Sequence, residues 1–557
     1  MYVDDQTIKR GDSIYRRVLL RESYREDGKV KTRTLGNISK IPDEEIEAIK
    51  LALRMKSDLP TLKAMSEGNY ENSKSVGAVA VLFQVSQKLG IEQALGKSTE
   101  ALLCLWMIIS RFFGAKSRLA AVRYANIHAA CEILGLKPFN ENHLYSALDW
   151  LCKEQGRIEE KLFKRQRKYN ENKPNTNIYL YDLSSSYLEG DKNELAAFGY
   201  NRDGKKGKKQ ICHGLLTDSS GDPISVEAFK GNIKDNKTLE SQLCKLKKRF
   251  KCKYITIVGD KGMIKKAQID AIGNNKYFHY ITTITKPQIR SLVKEGIFQY
   301  GLFDETLAEI CDTENDVRYL LRCNPVRCNE MRINRLSKIK FLRDKIEITN
   351  EYLSEHARAK TEIHLKRMIA LVKRFKAQKF FIVENDQMNS RYLTFKIFRG
   401  ELKEVRKLDG CYVVKTDLPI EAAEAKEVHD RYKDLINVEQ AFRIEKDELN
   451  LRPIYLRKEG RTSAHFSIAM LSYKVQKFLR SAWKETDFTV DEGLKHLINI
   501  TANKIEIKNR IICRVPKPNK TCSELLEVLG VRIPTYLPYV ASDVVTKAKL
   551  SERRKSK

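Results

Sequence analysis

Between residues 177 and 285 the chain leaves helical periods for a succession of short apolar runs, and that succession leaves few folds open. "NIYLYDLSSSYLE" reads as a strand, and "KQICHGLLTDSSGDPISVEAFKG" as two strands about the turn Ser219-Ser220-Gly221-Asp222. "TLESQLCKLKKRF" has a helical period, "KYITIVGD" is a buried-type strand, "KGMIKKAQIDAIGNN" a helix and "KYFHYITTIT" another strand. Strand, hairpin, helix, strand, helix, strand is an α/β layout. Two acids fall where chemistry can use them. Asp182 follows "IYLY" on the first strand, and Asp260 ends "YITIVG", with Gly259 and Gly262 loosening the turn around it. One such Asp is ordinarily a turn or cap residue; two on neighbouring strands point towards a bound metal.

The order matches the ribonuclease H-like fold: three antiparallel strands, then two parallel ones joined by helices, with a third acid on a later helix. The fifth strand ends near Thr285, and the next stretch offers no convincing third acid. A long charged helical run is followed by the strand-like "KFFIV", "RYLTFKIF" and "CYVVKTD", so residues 286–428 read as an insertion with its own β-rich part. The chain returns to the core at "RYKDLINVEQAFRIEKDELNLRP", residues 431–453, read as one helix. Tyr432, Leu435, Glu439, Phe442 and Lys446 recur there at helical spacing, which puts Glu439 among apolar and basic neighbours. An acid so placed costs energy unless a cation meets it. In isolation this helix reads as an amphipathic core helix with an ordinary Glu439–Arg443 pair; Asp182 and Asp260 require a partner, and Glu439 supplies it. Asp182, Asp260 and Glu439 are thus expected to hold two divalent cations, Mg²⁺ or Mn²⁺, about 4 Å apart, for in-line phosphoryl transfer. Tyr432, Arg443 and Lys446 are expected to contact DNA.

Charge supports a polyanionic partner. Lys and Arg number 103 against 72 Asp and Glu, a formal +31 spread along the whole chain and ending in the basic "KAKLSERRKSK". Nucleic acid is the first reading and a merely soluble basic protein the second. With 42% hydrophobic residues the chain buries real cores and is not disordered. The 12 cysteines show no repeated spacing; Cys323 and Cys328 form the one close pair, without the further ligands of a zinc site, and read as free thiols of a reducing compartment. "ALLCLWMIISRFF" is too short to span a bilayer and "MYVDDQTIKRGD" has no apolar signal region, so a cytoplasmic, nucleoid-associated protein is expected.

The expected organisation is a basic β-hairpin and helix over 1–60, with its turn at Asp27-Gly28, and a helical region over 61–176 that ends in a polar linker at 170–176. The helical region reads as DNA-binding or as a plain bundle. The core follows over 177–285, the insertion over 286–428, the second part of the core over 429–480 and a C-terminal region over 481–557. In "FKGNIKDNKTL", Asn232 and Asp235 read as turn and cap residues ahead of contacts to DNA or metal. Arg452, Arg457 and Arg461 suit phosphate contacts or a solvated helix start. His213 and His465 take no role.

These blocks together carry a resemblance. "YDLSSSYLE", "GLLTDSSGDPISVEAFKGNIKDNKTL", "IVGDKGM", "LLRESYREDGKVKTRTLGNIS" and "LNLRPIYLRKEGRTSAHFSI" are similar to blocks of the DDE transposases of bacterial insertion sequences. The chain most resembles the group with a Y-x2-R-x3-E-x6-K signature and a β-rich insertion before the last acid. Tyr432, Glu439 and Lys446 fall at those spacings, while Leu435 stands at the arginine position, with Arg443 a possible substitute. The resemblance implies binding of terminal inverted repeats, metal-dependent cleavage at element ends, joining of the 3′-hydroxyl to target DNA, and two protomers in a synaptic complex. A transposase-derived DNA-binding protein without cleavage, or another ribonuclease H-like nuclease, are the alternatives.

Overall fold

A computed structural model describes residues 1–10, 13–54, 70–169, 177–265, 269, 277–507, 510–540 and 544–547. The linker expected at 170–176, most of the helix expected over 261–275 and nearly all of the basic C-terminal run lie outside the described residues. The chain divides into two compact units.

The first unit comprises residues 1–81, 126–135 and 493–543. Strands β1 (Tyr2–Arg10), β2 (Ser13–Glu26) and β3 (Lys29–Asn37) form an antiparallel sheet. The expected hairpin is β2–β3: Asp27 and Gly28 both take positive φ, 50° and 75°, as a tight two-residue turn demands. Helix α1 (Asp43–Arg54) opens on Asp43, Glu44 and Glu45, which suit the positive end of its dipole. A second sheet pairs β4 (Tyr70–Ser75) with strands Thr501–Ile507, Arg510–Arg514 and Tyr536–Leu537. Within the region delimited as C-terminal, 481–557, residues 493–543 therefore share a unit with the N-terminus. Pairing across more than 400 positions leaves no trace in a local pattern.

The second unit comprises residues 82–125, 136–492 and 544–557. Helix α2 (Thr99–Ile109) carries the apolar run and is buried nearly all round; among the described residues no helix is long and apolar enough to cross a membrane. Helix α3 (Glu141–Tyr169) leads towards the main sheet. That sheet is built on β5 (Ile178–Tyr187), β6 (Gln210–Asp218), β7 (Pro223–Lys230), β8 (Ile255–Val258) and β9 (Phe278–Thr283). β5, β6 and β7 are antiparallel neighbours, and β5, β8 and β9 are parallel. β8, "ITIV", is buried at every position and β5 nearly so, as strands covered on both faces must be.

The insertion is smaller than the sequence suggested. Three of its strands, β10 (Ala308–Asp312), β11 (Val317–Cys323) and a later one, β14 (Cys411–Thr416), continue the main sheet beyond β9 in the order β9-β14-β11-β10. What leaves the sheet is the excursion between β11 and β14. It holds helices α4 (Pro325–Glu355) and α5 (Thr361–Arg374) and the hairpin of β12 (Phe381–Asn385) with β13 (Leu393–Ile397). Its own core gathers Leu342, Ile346, Leu353, Met368 and Phe381. At its neck Cys323 pairs with Cys411, and the Asn324 amide donates to the Gly410 carbonyl at 3.0 Å. Gly410 sits at φ 72° with Asn324 O only 2.4 Å from where a Cβ would be, so no other residue fits there.

The helix expected over 431–453 is divided. Helices α6 (Ala425–Lys433) and α7 (Leu435–Arg443) meet at Asp434, and a π-helical turn over Ile444–Glu448 ends the run before the "LRP" segment. A π turn holds more residues than an α turn, so side chains beyond it point elsewhere than a 3.6-residue period predicts. Helix α8 (Glu459–Ala482) then packs against β7 and α3. All 12 cysteines are free thiols, as expected.

Candidate active site

Strand register brings the two aspartates together. β5 and β8 pair in parallel as Ile178↔Thr256, Tyr179↔Ile257 and Leu180↔Val258, and Asp182 and Asp260 each lie two residues past the last pair. They therefore leave adjacent strands at one level. Met263 N donates to Asp260 O at 2.9 Å, closing a turn at the end of β8. Neither Gly259 nor Gly262 takes positive φ; Gly259 instead gives room to Ile264, whose Cδ1 would lie 3.2 Å from an added Cβ. Helix α7 packs on β5 by Val438, Ala441 and Phe442, and Glu439 stands exposed beside that buried stripe.

The three acids line one pocket of about 300 Å³. Asp182 is half-buried and accepts a 2.7 Å hydrogen bond from the Leu183 amide. Burial pushes its pKa up to about 7; Asp260 and Glu439 add to the rise, while the Leu183 amide and Arg202 oppose it. Tyr432 feels the same two acids: its phenol is raised first by burial, then by Asp260 and Glu439. As they stand, no three His, Cys, Asp or Glu side chains among the described residues are gathered tightly enough to hold a metal ion.

The residues expected to contact DNA have different surroundings. The Tyr432 hydroxyl shares a hydrogen bond with Thr283 Oγ1 at 3.1 Å, at the end of β9. Arg443 is exposed and makes no ion pair among the described residues, so the Glu439–Arg443 pair of the rival amphipathic-helix reading does not form. Lys446 does not line the pocket. Turned by the π-helical segment, its amine pairs with Asp203 Oδ1 at 3.0 Å, its side chain 9% exposed.

Three further residues matter. Arg202 lines the pocket and is the one cation among the described residues to do so; its guanidinium donates to both oxygens of Asp235 at 3.0 Å. Asp235 was read as a turn or cap residue; its carbonyl does accept from the Thr238 amide at 3.1 Å in a turn, while its carboxylate makes no cap and lines the pocket instead. Asp203, 1% exposed, accepts from Lys446, from Arg452 at 2.7 Å and from the Tyr187 amide at 3.0 Å. "NRDG" at 201–204 carries only a turn signal, so the partners of Arg202 and Asp203 had no local signature.

Behind the site, His213 is fully buried, stacked on Phe466 at 4.4 Å and edge-on to Phe442 at 5.2 Å. Glu445 Oε2 lies 3.8 Å from His213 Nε2. Burial raises Glu445 from the ordinary glutamate value of 4.5 to about 8. The folded protein thus holds this proton more tightly than the unfolded chain, so stability declines as pH rises from about 4.5 to about 8. Glu445→Gln removes that slope: between pH 5 and 8 the parent's melting point is expected to fall by roughly 5 °C more than the variant's. Parallel melting curves would remove the assignment.

A model of the transposase DDE domain matches residues 176–474, more than half of the chain, and a model of the IS1634 family transposase N-terminal domain matches residues 5–60. No curated protein matches. Among solved structures, the chain is similar to a cryo-EM structure of the piggyBac transposase synaptic complex with hairpin DNA, with 9% identity, 65% of this chain and 71% of that chain covered, and a TM-score of 0.32. It is also similar to a Mos1 transposase paired-end complex with left transposon end, with 12% identity, 27% and 52% covered, and a TM-score of 0.15. The matched domain spans every strand and helix of the carboxylate pocket, and the chain belongs to the DDE transposases of insertion sequences.

Proposed function

We propose that β5–β9 are a ribonuclease H-like core in which Asp182, Asp260 and Glu439 are the catalytic acids of end cleavage and strand transfer. DDE transposases depend on divalent metal, and the donor set fits: three hard carboxylate oxygens in one pocket suit Mg²⁺ or Mn²⁺. Two such ions held by Asp182, Asp260 and Glu439 would supply activation of the attacking oxygen and stabilisation of the leaving one. The chain's own part is to hold Asp182 and Asp260 at one level by strand register and to bring Glu439 over them on α7. Arg202, fixed by Asp235, adds a positive group at the pocket wall for the phosphodiester. Tyr432 sits beside the acids and contacts the DNA strand entering the site; Arg443 offers a free guanidinium on the same helix. Lys446 reaches a phosphate only after parting from Asp203. Two copies acting together on terminal inverted repeats complete the reading.

The observation that carries it is the convergence of three acids from separate segments on one pocket, with Asp182 raised mainly by burial and further by Asp260 and Glu439. Metal binding tests it without activity. Mn²⁺ at about 100 times its dissociation constant adds about 2.7 kcal/mol to the parent's stability, read as a rise of several degrees in melting point. Asp182→Asn is expected to abolish the rise. An equal rise in the variant would place the ion elsewhere.

A further inference from the structure

A second pocket, of about 410 Å³, has no acid among the described residues that line it. Arg118 lines it, only 7% exposed. Its guanidinium reaches Met107 Sδ at 2.9 Å and His465 Nδ1 at 3.4 Å, and among the described residues it has no carboxylate partner. His465 Nδ1 also accepts from Arg111 at 2.9 Å, and the other ring nitrogen faces the Leu451 carbonyl at 3.2 Å, so this imidazole is neutral and supplies no counter-charge. A buried cation in this state is costly unless an anion meets it. At the rim stand Lys116, Arg457 and Lys458, all exposed and without an ion pair among the described residues. Arg461 differs: it is held in a fork by Asp149 at 2.7 and 2.8 Å and lies over the Tyr145 ring. The larger pocket bounded by α3 and α8, by contrast, includes Asp218 and Asp222, and Lys474 is already paired with Asp222.

We propose that this acid-free pocket seats backbone phosphate of duplex DNA, as an anchor separate from the carboxylate site. Rim cations would meet the phosphate oxyanion first and Arg118 would close on it from below. The two pockets are tied through the backbone. Ile454 N donates to Tyr187 O at 3.0 Å and Glu189 N to Ile454 O at 2.9 Å, stitching the segment beside the anchor to the end of β5, the strand of Asp182. Arg452, just before the pocket-lining Pro453, holds Asp203, the neighbour of Arg202.

The proposal rests on the transposase reading only in taking DNA as the ligand, so its test omits divalent metal and leaves the catalytic acids intact. The probe is a 40-base-pair mixed-sequence duplex titrated from about 50 to 300 mM KCl. Lys116→Ala/Arg457→Ala/Lys458→Ala is expected to lower the slope of log affinity against log salt by about 2 to 3, near 0.9 for each lost contact. It should also weaken binding at least about 30-fold at 100 mM salt. The control Lys338→Ala/Lys340→Ala/Lys366→Ala, on the exposed faces of α4 and α5, should change the slope by less than about one. An unchanged slope in the first variant, or an equal loss in the control, overturns the anchor. Arg118→Met, checked for an intact circular dichroism spectrum, should bind about tenfold more weakly; a folded variant with parental affinity removes Arg118 from it. Pyrophosphate titrated calorimetrically against parent and triple variant separates the other source of phosphate. Binding that the triple variant loses while its DNA slope stays parental would assign the pocket to a free anion and overturn the proposal.

Discussion

Asp182→Asn, Asp260→Asn and Glu439→Gln are each expected to lower metal-dependent cleavage at the element ends by about 10³-fold or more, with DNA affinity in the absence of metal within about twofold of the parent. A loss of 10³ is about 4 kcal/mol of transition-state stabilisation, a reasonable demand on one of three oxygen donors that together hold the charge of the reaction. The substitutions keep shape and remove charge, so a folding defect is not the expected cause. A single variant that cleaves like the parent would strike that residue from the site. Three variants that all cleave would leave the pocket without its proposed role.

Asp203→Ala carries the second largest effect, and on stability. Its carboxylate is 1% exposed and answers two cations and a backbone amide. Removing one partner of a buried ion pair costs roughly 3–5 kcal/mol, because the charges left behind are unmatched. Lys446, 9% exposed, has the least access to water as a substitute. In a unit of this size the loss corresponds to a fall of roughly 3–6 °C in melting point. Lys446→Met combined with Asp203→Ala should recover part of that loss, since one stranded charge goes with it. A melting point within about 2 °C of the parent for Asp203→Ala alone would show the cluster to be solvated and of little weight.

How far the sequence could be read differs from one residue to the next. Asp182 and Asp260 were legible because each ends or follows a continuous apolar run, and a parallel pair of such runs has one register. Glu439 was legible only through its partners, since its helix alone fits an ordinary amphipathic face. Lys446 was placed by counting helical turns, and the π turn at 444–448 moved it towards Asp203. Arg202, Asp203 and Asp235 sit in loops, where sequence fixes a turn and says nothing of which side chain will be met across the fold. The strands β10, β11 and β14 were recognisable as strands, but their joining to β9 is a long-range pairing. They were therefore grouped with the insertion, when only the stretch between β11 and β14 leaves the sheet.

That stretch begins and ends at hydrogen-bonded neighbours, Cys323 beside Cys411. To the sheet, the whole excursion is the connection of one hairpin, no different in its demands from a short turn. Its length is free to drift, because the entropy of closing a loop grows only with the logarithm of its size. The excursion with its private core is in this sense a cassette, closed off at its neck so that its own packing makes no demand on the register of β5 to β9.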